Sequence, residues 1–176
     1  QVMIITLADI FGNHLTKGGN SVVASVTNGA ELDARSIRVE DMANGTYNLI
    51  AFITIAGSYS ISVGLGDIDQ TLPFSPLSLT VDAGSPVALL SGASGDATRY
   101  GIAGRSEAFS ITMRDLFGNI ISSAGQRLEV SLYRVSLGEY VLAQSNFSFT
   151  DGLYEGFYYH ELSASHLLSV VVAGDH

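Results

Sequence analysis

The sequence contains no cysteine and no tryptophan, and it has only three prolines and one lysine, Lys17, among its 176 residues. Without cysteine it can form no disulfide framework and offers no cysteine nucleophile. The 17 acidic and 8 basic side chains give a formal net charge of −9, whereas binding a phosphate backbone requires clustered lysine and arginine. We therefore expect no nucleic-acid partner.

Long hydrophobic runs are also missing, because no apolar stretch approaches the roughly 20 residues that a membrane helix needs. The first residues show no charged segment followed by a cleavage site, and we expect no membrane insertion in this segment. Hydrophobic residues nevertheless make up 47% of the chain. That content can fill a core and excludes intrinsic disorder as the main state.

Apolar residues alternate with polar ones over short runs that Gly, Asn, Asp or Pro interrupt, which is the pattern of β-strands. No window shows the spacing of an amphipathic helix, so we predict almost no helix. The predicted strands cover residues 2–8, 21–27, 35–40, 46–54, 58–63, 77–81, 86–90, 108–114, 127–134, 140–147, 153–161 and 166–172.

An internal repeat determines the predicted domain organisation. The pentapeptide at 9–13, Asp-Ile-Phe-Gly-Asn, returns as Asp-Leu-Phe-Gly-Asn at 115–119, and Asn-Gly-Thr-Tyr at 44–47 is matched by Asp-Gly-Leu-Tyr at 151–154. Turn residues and apolar positions agree together along both halves. We therefore predict two homologous β-domains, residues 1–82 and 83–176, joined by a short linker near residues 82–86.

The two predicted repeats differ at their ends. Repeat 2 has an opening strand at 86–90 with no counterpart in repeat 1, and the closing strand of repeat 1 at 77–81 has no counterpart in repeat 2. We expect repeat 1 to lack its first strand and repeat 2 its last, as in an excerpt from a longer array. Unpaired strand edges of this kind favour pairing with another chain.

The repeated pentapeptide is typical of a tight turn at a strand end. The Asp carboxylate can accept turn N–H groups, Gly and Asn tolerate positive φ, and the Phe is expected to plug the sandwich. Asn-Gly and Asp-Gly pairs at 44–45 and 151–152 are hairpin signals. The residues assigned to the structural turns are Asp9, Phe11, Gly12, Asn13, Asp115, Phe117, Gly118 and Asn119.

These motifs, together with the segments at 57–63 and 75–81 and Ala-Gly at 103–104, make the sequence resemble tandem filamin-type immunoglobulin-like repeats. The resemblance implies two Ig-like β-sandwiches of about seven strands that act as spacers, scaffolds or binding modules, without catalysis or cofactors. Bacterial Ig-like adhesin repeats share the Asp-x-x-Gly-Asn turn and are the nearest alternative. Repeat 2 departs from the pattern at His166, where repeat 1 has Tyr59.

The resemblance further implies a groove between strands C and D that binds a partner's strand by β-augmentation. Strand C corresponds by position to 21–27 or 127–134, and strand D to 35–40 or 140–147.

Two predicted strands carry large apolar residues on both faces. The resemblance implies that Tyr47, Leu49, Ala51 and Ile53 point inward. The outward residues are then Ile50 and Phe52, and repeat 2 has Phe157 and Tyr159 at the equivalent places. Because a half-solvated strand normally alternates with polar residues, these four are candidate protein-interaction residues. The alternative is that a loop or the other domain covers them.

Other candidate sites are weaker. Asn44-Gly45-Thr46 and Asn146-Phe147-Ser148 are potential glycosylation sites. Asp67 and Asp69 lack the further oxygen ligands of a calcium loop, and the four histidines lack metal-ligand spacing, so we assign no metal. Since no catalytic or phosphate-binding motif is found, we predict no enzyme activity and no cofactor.

The sequence thus predicts a non-enzymatic structural or adhesive segment of a larger protein, extracellular or at the cell surface, whose partners are other protein domains or neighbouring repeats of the same chain. One alternative is an intracellular cytoskeletal or ciliary scaffold that binds partner strands by β-augmentation. Another is a carbohydrate-binding accessory domain with aromatic side chains in a shallow groove.

Overall fold

The computed structural model describes residues 2–28, 37–66, 70–123, 125–161 and 163–173. It divides into two compact units, unit 1 (Gln1–Asp82) and unit 2 (Ala83–His176). Helix among the described residues is limited to two 3₁₀ turns of three residues each, Ala88–Leu90 and Asp96–Thr98. The predicted all-β class is confirmed, and no described helix is long and apolar enough to cross a membrane.

Unit 1 is a sandwich of two antiparallel sheets. Strands β1, β4 and β3 form one sheet in that order. The other sheet has β2 and β7 on either side of β5, and the short β6 pairs with the last residues of β5. The strands are β1 (Val2–Thr6), β2 (Val22–Thr27), β3 (Ile37–Asp41), β4 (Thr46–Ala51), β5 (Gly57–Leu65), β6 (Gln70–Thr71) and β7 (Leu77–Val81).

Unit 2 is also a sandwich of two antiparallel sheets, and its central strand pairings match those of unit 1, but the strands at the sheet edges differ. One sheet has the order β12, β13, β9 and β8, and the other has the order β11, β10 and β14. The strands are β8 (Gly92–Ser94), β9 (Ser106–Thr112), β10 (Arg127–Arg134), β11 (Glu139–Leu142), β12 (Gln144–Thr150), β13 (Leu153–Tyr159) and β14 (His166–Ala173).

Each unit has its own apolar core, because alternate residues of facing sheets point inward. In unit 1, Tyr47 and Leu49 on one sheet meet Val26, Ile61 and Val63 on the other. The core of unit 2 lies between its own two sheets, and several of its residues are aromatic. The core residues include Phe109, Met113, Val130, Leu132, Tyr154 and Tyr158. The predicted inward side of β4 is confirmed for Tyr47, Leu49 and Ala51.

The predicted opening strand of unit 2 at 86–90 is wrong. This segment makes one bridge to the sheet, in which the Val87 N–H donates to the Arg114 carbonyl, and it then coils into a 3₁₀ turn closed on the Val87 carbonyl by Leu90 and Ser91. The opening strand follows at Gly92–Ser94 and pairs with β9. Small residues without periodicity gave this three-residue strand no sequence signal.

The single strand predicted at 140–147 is two strands in different sheets. β11 pairs with β10, and β12 pairs with β13. The chain crosses between the sheets at Ala143, which is buried and donates its N–H to the Val130 carbonyl. A continuous alternating pattern hides such a crossing, because alternation reports which residues point inward and not which sheet they extend.

Candidate functional site

The Asp9 turn is closed by its own carboxylate. Oδ1 of Asp9 accepts the backbone N–H groups of Phe11 and Asn13, both at 2.9 Å, and Oδ2 accepts the Asn13 side-chain amide at 3.0 Å. These bonds, the Asn13 side chain first, lower the pKa of Asp9 below its ordinary value. Every oxygen of this carboxylate is committed to the turn, as the sequence predicts.

Asp115 repeats the arrangement and adds a bond to the start of unit 2. Its carboxylate accepts the N–H groups of Phe117 and Asn119 at 2.9 Å, and Oδ2 also accepts the Gly84 N–H at 2.9 Å. The Asn119 side-chain amide and then the Gly84 N–H lower its pKa to about 2, against the opposing effect of burial. Only 2% of Asp115 is exposed. Through its bond to Gly84, this buried residue holds the segment before β8 against the turn.

The expected aromatic plug of each turn is wrong. Phe11 is 83% exposed and Phe117 is 63% exposed. The backbone N–H of each Phe donates to the turn aspartate. This bond fixes the Phe at the tip of the turn, outside the space between the sheets.

The outer face of the β1–β4–β3 sheet in unit 1 carries the first pair of candidate interaction residues. Phe52 is 65% exposed directly after β4, and Ile50 is half-buried. Ile50 lies between Val2 on β1 and Arg38 on β3. Val2 and its neighbour on the same face, Ile4, are both largely exposed. We call Val2, Ile4, Ile50 and Phe52 the outer apolar face of unit 1.

The sequence analysis missed Val2 and Ile4. All of the first four residues of β1 are apolar, so alternation along the strand cannot separate an inner from an outer face. Pairing with β4 supplies that information, because Val2 and Ile50 are direct neighbours across the ladder.

The equivalent face of unit 2 is more polar. Phe157 is partly exposed and lies between Asn146 on β12 and Ala108 on β9. Tyr159 is half-buried, and its hydroxyl donates to the Glu161 carboxylate at 3.3 Å. Because Asn146 is the direct neighbour of Phe157, a glycan on Asn146 would cover this face.

Asn44, the other potential glycosylation site, lies in the exposed turn between β3 and β4. Its Oδ1 accepts the Thr46 N–H at 3.0 Å and the Thr46 hydroxyl at 2.6 Å. The Asn side chain therefore has a role in the hairpin without any glycan, as an Asx-type turn.

The expected C–D groove differs between the two units. In unit 1, β2 and β3 are edge strands among the described residues, since each pairs with one neighbour only. The loop between them and the first two residues of the predicted D strand lie in 29–36, outside the described residues. In unit 2, β11 already pairs with β10 through residues 131–134, so part of the C edge is occupied.

Two histidines that the sequence places on different strands come together. The rings of His160 and His166 have centroids 4.7 Å apart in an edge-to-face arrangement. No group of three metal-ligating side chains occurs within the described ranges, and Asp67 and Asp69 fall outside them.

Two tyrosines at equivalent positions complete the structural equivalence of the units. Tyr47 accepts the Asn20 N–H at its hydroxyl at 3.0 Å, and Tyr154 accepts the Gln126 N–H at 3.2 Å. These hydroxyls anchor the segment that enters β2 or β10. The repeated aspartates and tyrosines of both units thus accept backbone hydrogen bonds that hold the turns and loops in place.

The chain was compared with family models, curated protein sequences and solved structures. No family model matches the chain, and no curated protein sequence matches it at a significant level. Among solved structures, invasin, a bacterial integrin-binding protein, aligns with a TM-score of 0.66 and 16% identity over 97% of this chain and 33% of that one. The Escherichia coli adhesin FdeC aligns with a TM-score of 0.64 and 18% identity, over 99% of this chain and 56% of that one.

InvD of Yersinia pseudotuberculosis aligns with a TM-score of 0.54 and 22% identity, over 98% of this chain and 48% of that one. This chain therefore spans between a third and little more than half of the length of these three structures. At such identities the likeness concerns the fold alone. The chain is a tandem of two Ig-like β-sandwiches.

Proposed function

We propose that this chain is a non-enzymatic adhesive and structural segment of a larger protein, in which the two Ig-like modules space and present protein contacts. The observation that carries the proposal is the outer apolar face of unit 1. Phe52, Val2 and Ile4 are more than half exposed on one side of a sheet. Contiguous exposed apolar side chains of this kind are typical of protein-interaction surfaces.

The chemistry of the polar residues supports a non-enzymatic role. Both repeated aspartates have lowered pKa values because their carboxylates accept several hydrogen bonds from their own turns. A general acid or base needs a pKa near the working pH and access to substrate. Asp9 and Asp115 have neither the pKa nor free oxygens for that task.

The nature of the structural neighbours supports adhesion at a cell surface as the setting. Invasin is described as an integrin-binding protein and FdeC as an adhesin. A fold shared at this level allows many functions, so the argument for this chain depends on its own exposed face. Other protein domains, or neighbouring repeats, are the partners that an exposed apolar face fits.

The filamin-type character of the repeats belongs to the same proposal. Its support is the Asp-x-Phe-Gly-Asn turn, which has the same hydrogen bonds in both units. Isolated β-bridges next to the two turns, Ala8 to His14 and Arg114 to Ile120, also stand at equivalent positions.

The proposal is tested by removing the apolar face. Beads coated with the chain are incubated with cultured epithelial cells, and the coating concentration for half-maximal adhesion is measured. For the double substitution Ile50→Thr with Phe52→Thr we expect this concentration to rise about tenfold or more, because each large apolar side chain buried in a contact contributes roughly 1.5–3 kcal/mol.

A matched control is Leu89→Thr, which makes the same kind of change at an exposed leucine of unit 2. We expect it to bind cells like the unchanged chain. Equal adhesion of the double variant and the unchanged chain would exclude the outer apolar face as the contact, and absence of adhesion by the unchanged chain would refute the adhesive role.

A further inference from the structure

The outward side of the β11–β10–β14 sheet in unit 2 carries a row of large side chains. Leu132 of β10 is buried in the core, so Tyr133, the next residue, points outward. Its direct neighbours are Tyr140 on β11 and Leu167 on β14. The two tyrosine rings have centroids 4.9 Å apart, and Tyr140 and Leu167 are 69% and 61% exposed. We call Tyr133, Tyr140 and Leu167 the Tyr–Leu row of unit 2.

Unit 1 has small polar residues where unit 2 has this row. Thr27 and Tyr133 lie equally far from the repeated pentapeptide of their own unit, and each follows a core residue of its strand. Thr27 faces Ser60 across the ladder in unit 1. Tyr133 faces Leu167 at the equivalent place in unit 2. Because unit 1 builds the same pairing with a threonine and a serine, the fold does not require large apolar side chains at these positions.

The strand β11 widens this face in unit 2. It pairs with β10 on the side away from β14 and contributes Tyr140 to the row. In unit 1, β2 pairs with β5 alone among the described residues, and β3 belongs to the other sheet. Unit 2 therefore differs from unit 1 both in the residues of this face and in the strand that extends it beyond β10.

A strand beside β14 would leave this face uncovered, as unit 1 shows. There β7 pairs with β5, the strand equivalent to β14. Ser58 and Ser62 on the outward side of β5 are nevertheless exposed. A neighbouring strand extends a sheet at its edge and does not lie over its side chains. The exposure of the Tyr–Leu row is thus a property of the sheet face.

The described charged residues of this face balance one another. Arg127 and Glu129 on the outward side of β10 form an ion pair at 3.1 Å. The outward residues of β14 are leucine, serine, valine and alanine. Since the whole chain has a formal net charge of −9, two copies repel each other least where they meet through a neutral face.

A furrow of small side chains runs next to the row. Ser131 of β10 and Ser169 of β14 face each other two residues further along the ladder, on the same side of the sheet. A ridge beside a furrow is self-complementary, because a two-fold rotation places the ridge of each copy over the furrow of the other. This arrangement favours a second copy of the chain as the occupant of the face.

We propose that the Tyr–Leu row and its serine furrow form the contact between two copies of this chain in a two-fold symmetric dimer. The tyrosine and leucine side chains supply the apolar area that the contact removes from water. Three strands about 4.8 Å apart, with at most eight residues of about 3.4 Å each, give this face roughly 400 Å². A stable interface takes about 800 Å² from each partner, so the dimer is weak. The contact is separate from the outer apolar face of unit 1, on which the proposed adhesion depends.

Self-association is measured on the full chain by sedimentation velocity, from about 10 μM to about 1 mM protein. We expect a monomer at the low end and a growing fraction of dimer towards the high end, as a weak contact of this area predicts. Residue-resolved amide spectra at the two concentrations locate the contact. Their shift changes should fall on the outward residues of β10, β11 and β14.

The first variant gives unit 2 the residues of unit 1. Tyr133→Thr with Leu167→Ser should weaken the dimer at least about tenfold, because both copies lose apolar area from the contact. Its matched control, Tyr100→Thr with Leu89→Ser, makes the same changes at exposed residues outside the face and should leave the dimer unchanged. Melting curves establish that both variants are folded.

A second variant fills the furrow without changing the row. Ser169→Arg places a long charged side chain between the two copies and should abolish the dimer, because the charge would be buried without a partner. Ser62→Arg makes the same change at the equivalent, exposed position of unit 1 and should have no effect. Both variants change the net charge equally, so their comparison isolates the furrow.

Several results would overturn the inference. They are a chain that stays monomeric at the highest concentration, equal association of Ser169→Arg and Ser62→Arg, and equal association of the first variant and its control. Shift changes confined to unit 1 would overturn it as well, because another surface would then hold the dimer together.

Discussion

At the scale of single residues, the two turn aspartates have the same position in the repeated motif but differ in burial and in the number of hydrogen bonds that they accept. Asp9 is exposed, whereas Asp115 is buried and accepts one additional bond from Gly84. The sequence predicts the local turn bonds of both, because they join residues two and four positions apart. It could not predict the Gly84 bond, which spans 31 positions.

We expect Asp115→Ala to lower the melting temperature of the chain more than Asp9→Ala does, because the substitution also removes the buried acceptor of the Gly84 N–H. Thermal unfolding followed by circular dichroism measures both variants. Equal losses would show that the Gly84 bond contributes nothing to stability.

Asp115 also predicts a dependence of stability on pH. Its pKa is lowered from an ordinary 3.8 to about 2 in the folded chain, so its stabilising contribution is complete above pH 3.8 and is lost as the pH falls towards 2. Urea unfolding across this range should show that loss. In Asp115→Asn the slope of stability against pH should be shallower than in the unchanged chain.

At the scale of elements, the hairpins before β4 and β13 depend on glycine. Gly45 has a φ of +84°, and a Cβ there would collide with the Leu15 backbone carbonyl. Gly152 has the same φ and faces the Ile120 side chain. The sequence identified both as hairpin glycines, but the close approach of a distant loop is a tertiary feature.

Gly45→Ala should therefore lower the stability of the chain by more than the strain of a left-handed backbone conformation alone. The matched control is Gly12→Ala, where φ is +86° and a Cβ would lie in open space. We expect Gly12→Ala to lower the free energy of unfolding by roughly 1–2 kcal/mol, because alanine is strained in this left-handed backbone conformation. Gly45→Ala should cost more than that, because the backbone around Leu15 must also shift. Urea unfolding measures the free energy of unfolding of both variants. A smaller loss of stability for Gly45→Ala than for Gly12→Ala would contradict the close approach of the Leu15 backbone.

Alternation predicted most strands within a few residues, including 77–81 and 127–134, which have the bounds of β7 and β10. It failed where an element has no amphipathic pattern of its own. The three-residue β8 and the two-residue β6 are examples, and the crossing at Ala143 is another. In each case hydrogen bonding to other strands defines the element.

At the scale of the whole molecule, the proposed division into residues 1–82 and 83–176 leads to a test. We expect both fragments to fold alone with cooperative unfolding, since each contains its own core. A third fragment, 86–176, should unfold at a lower temperature than 83–176, because it lacks the Gly84 donor to Asp115 and the packing of Ala83.

Circular dichroism melting curves compare the three fragments under one condition. Unfolded spectra for both 1–82 and 83–176 would refute the proposed division. Equal melting temperatures for 83–176 and 86–176 would show that unit 2 begins after the Gly84 segment.

The sequence by itself determined the all-β class and the repeated turns. These follow from local periodicity and from bonds between residues a few positions apart. Only the tertiary structure decided which strands share a sheet and that Phe11 and Phe117 are exposed. The physical reason is that strand pairing joins backbone groups far apart in the chain, and the alternation of side chains carries no record of the partner strand.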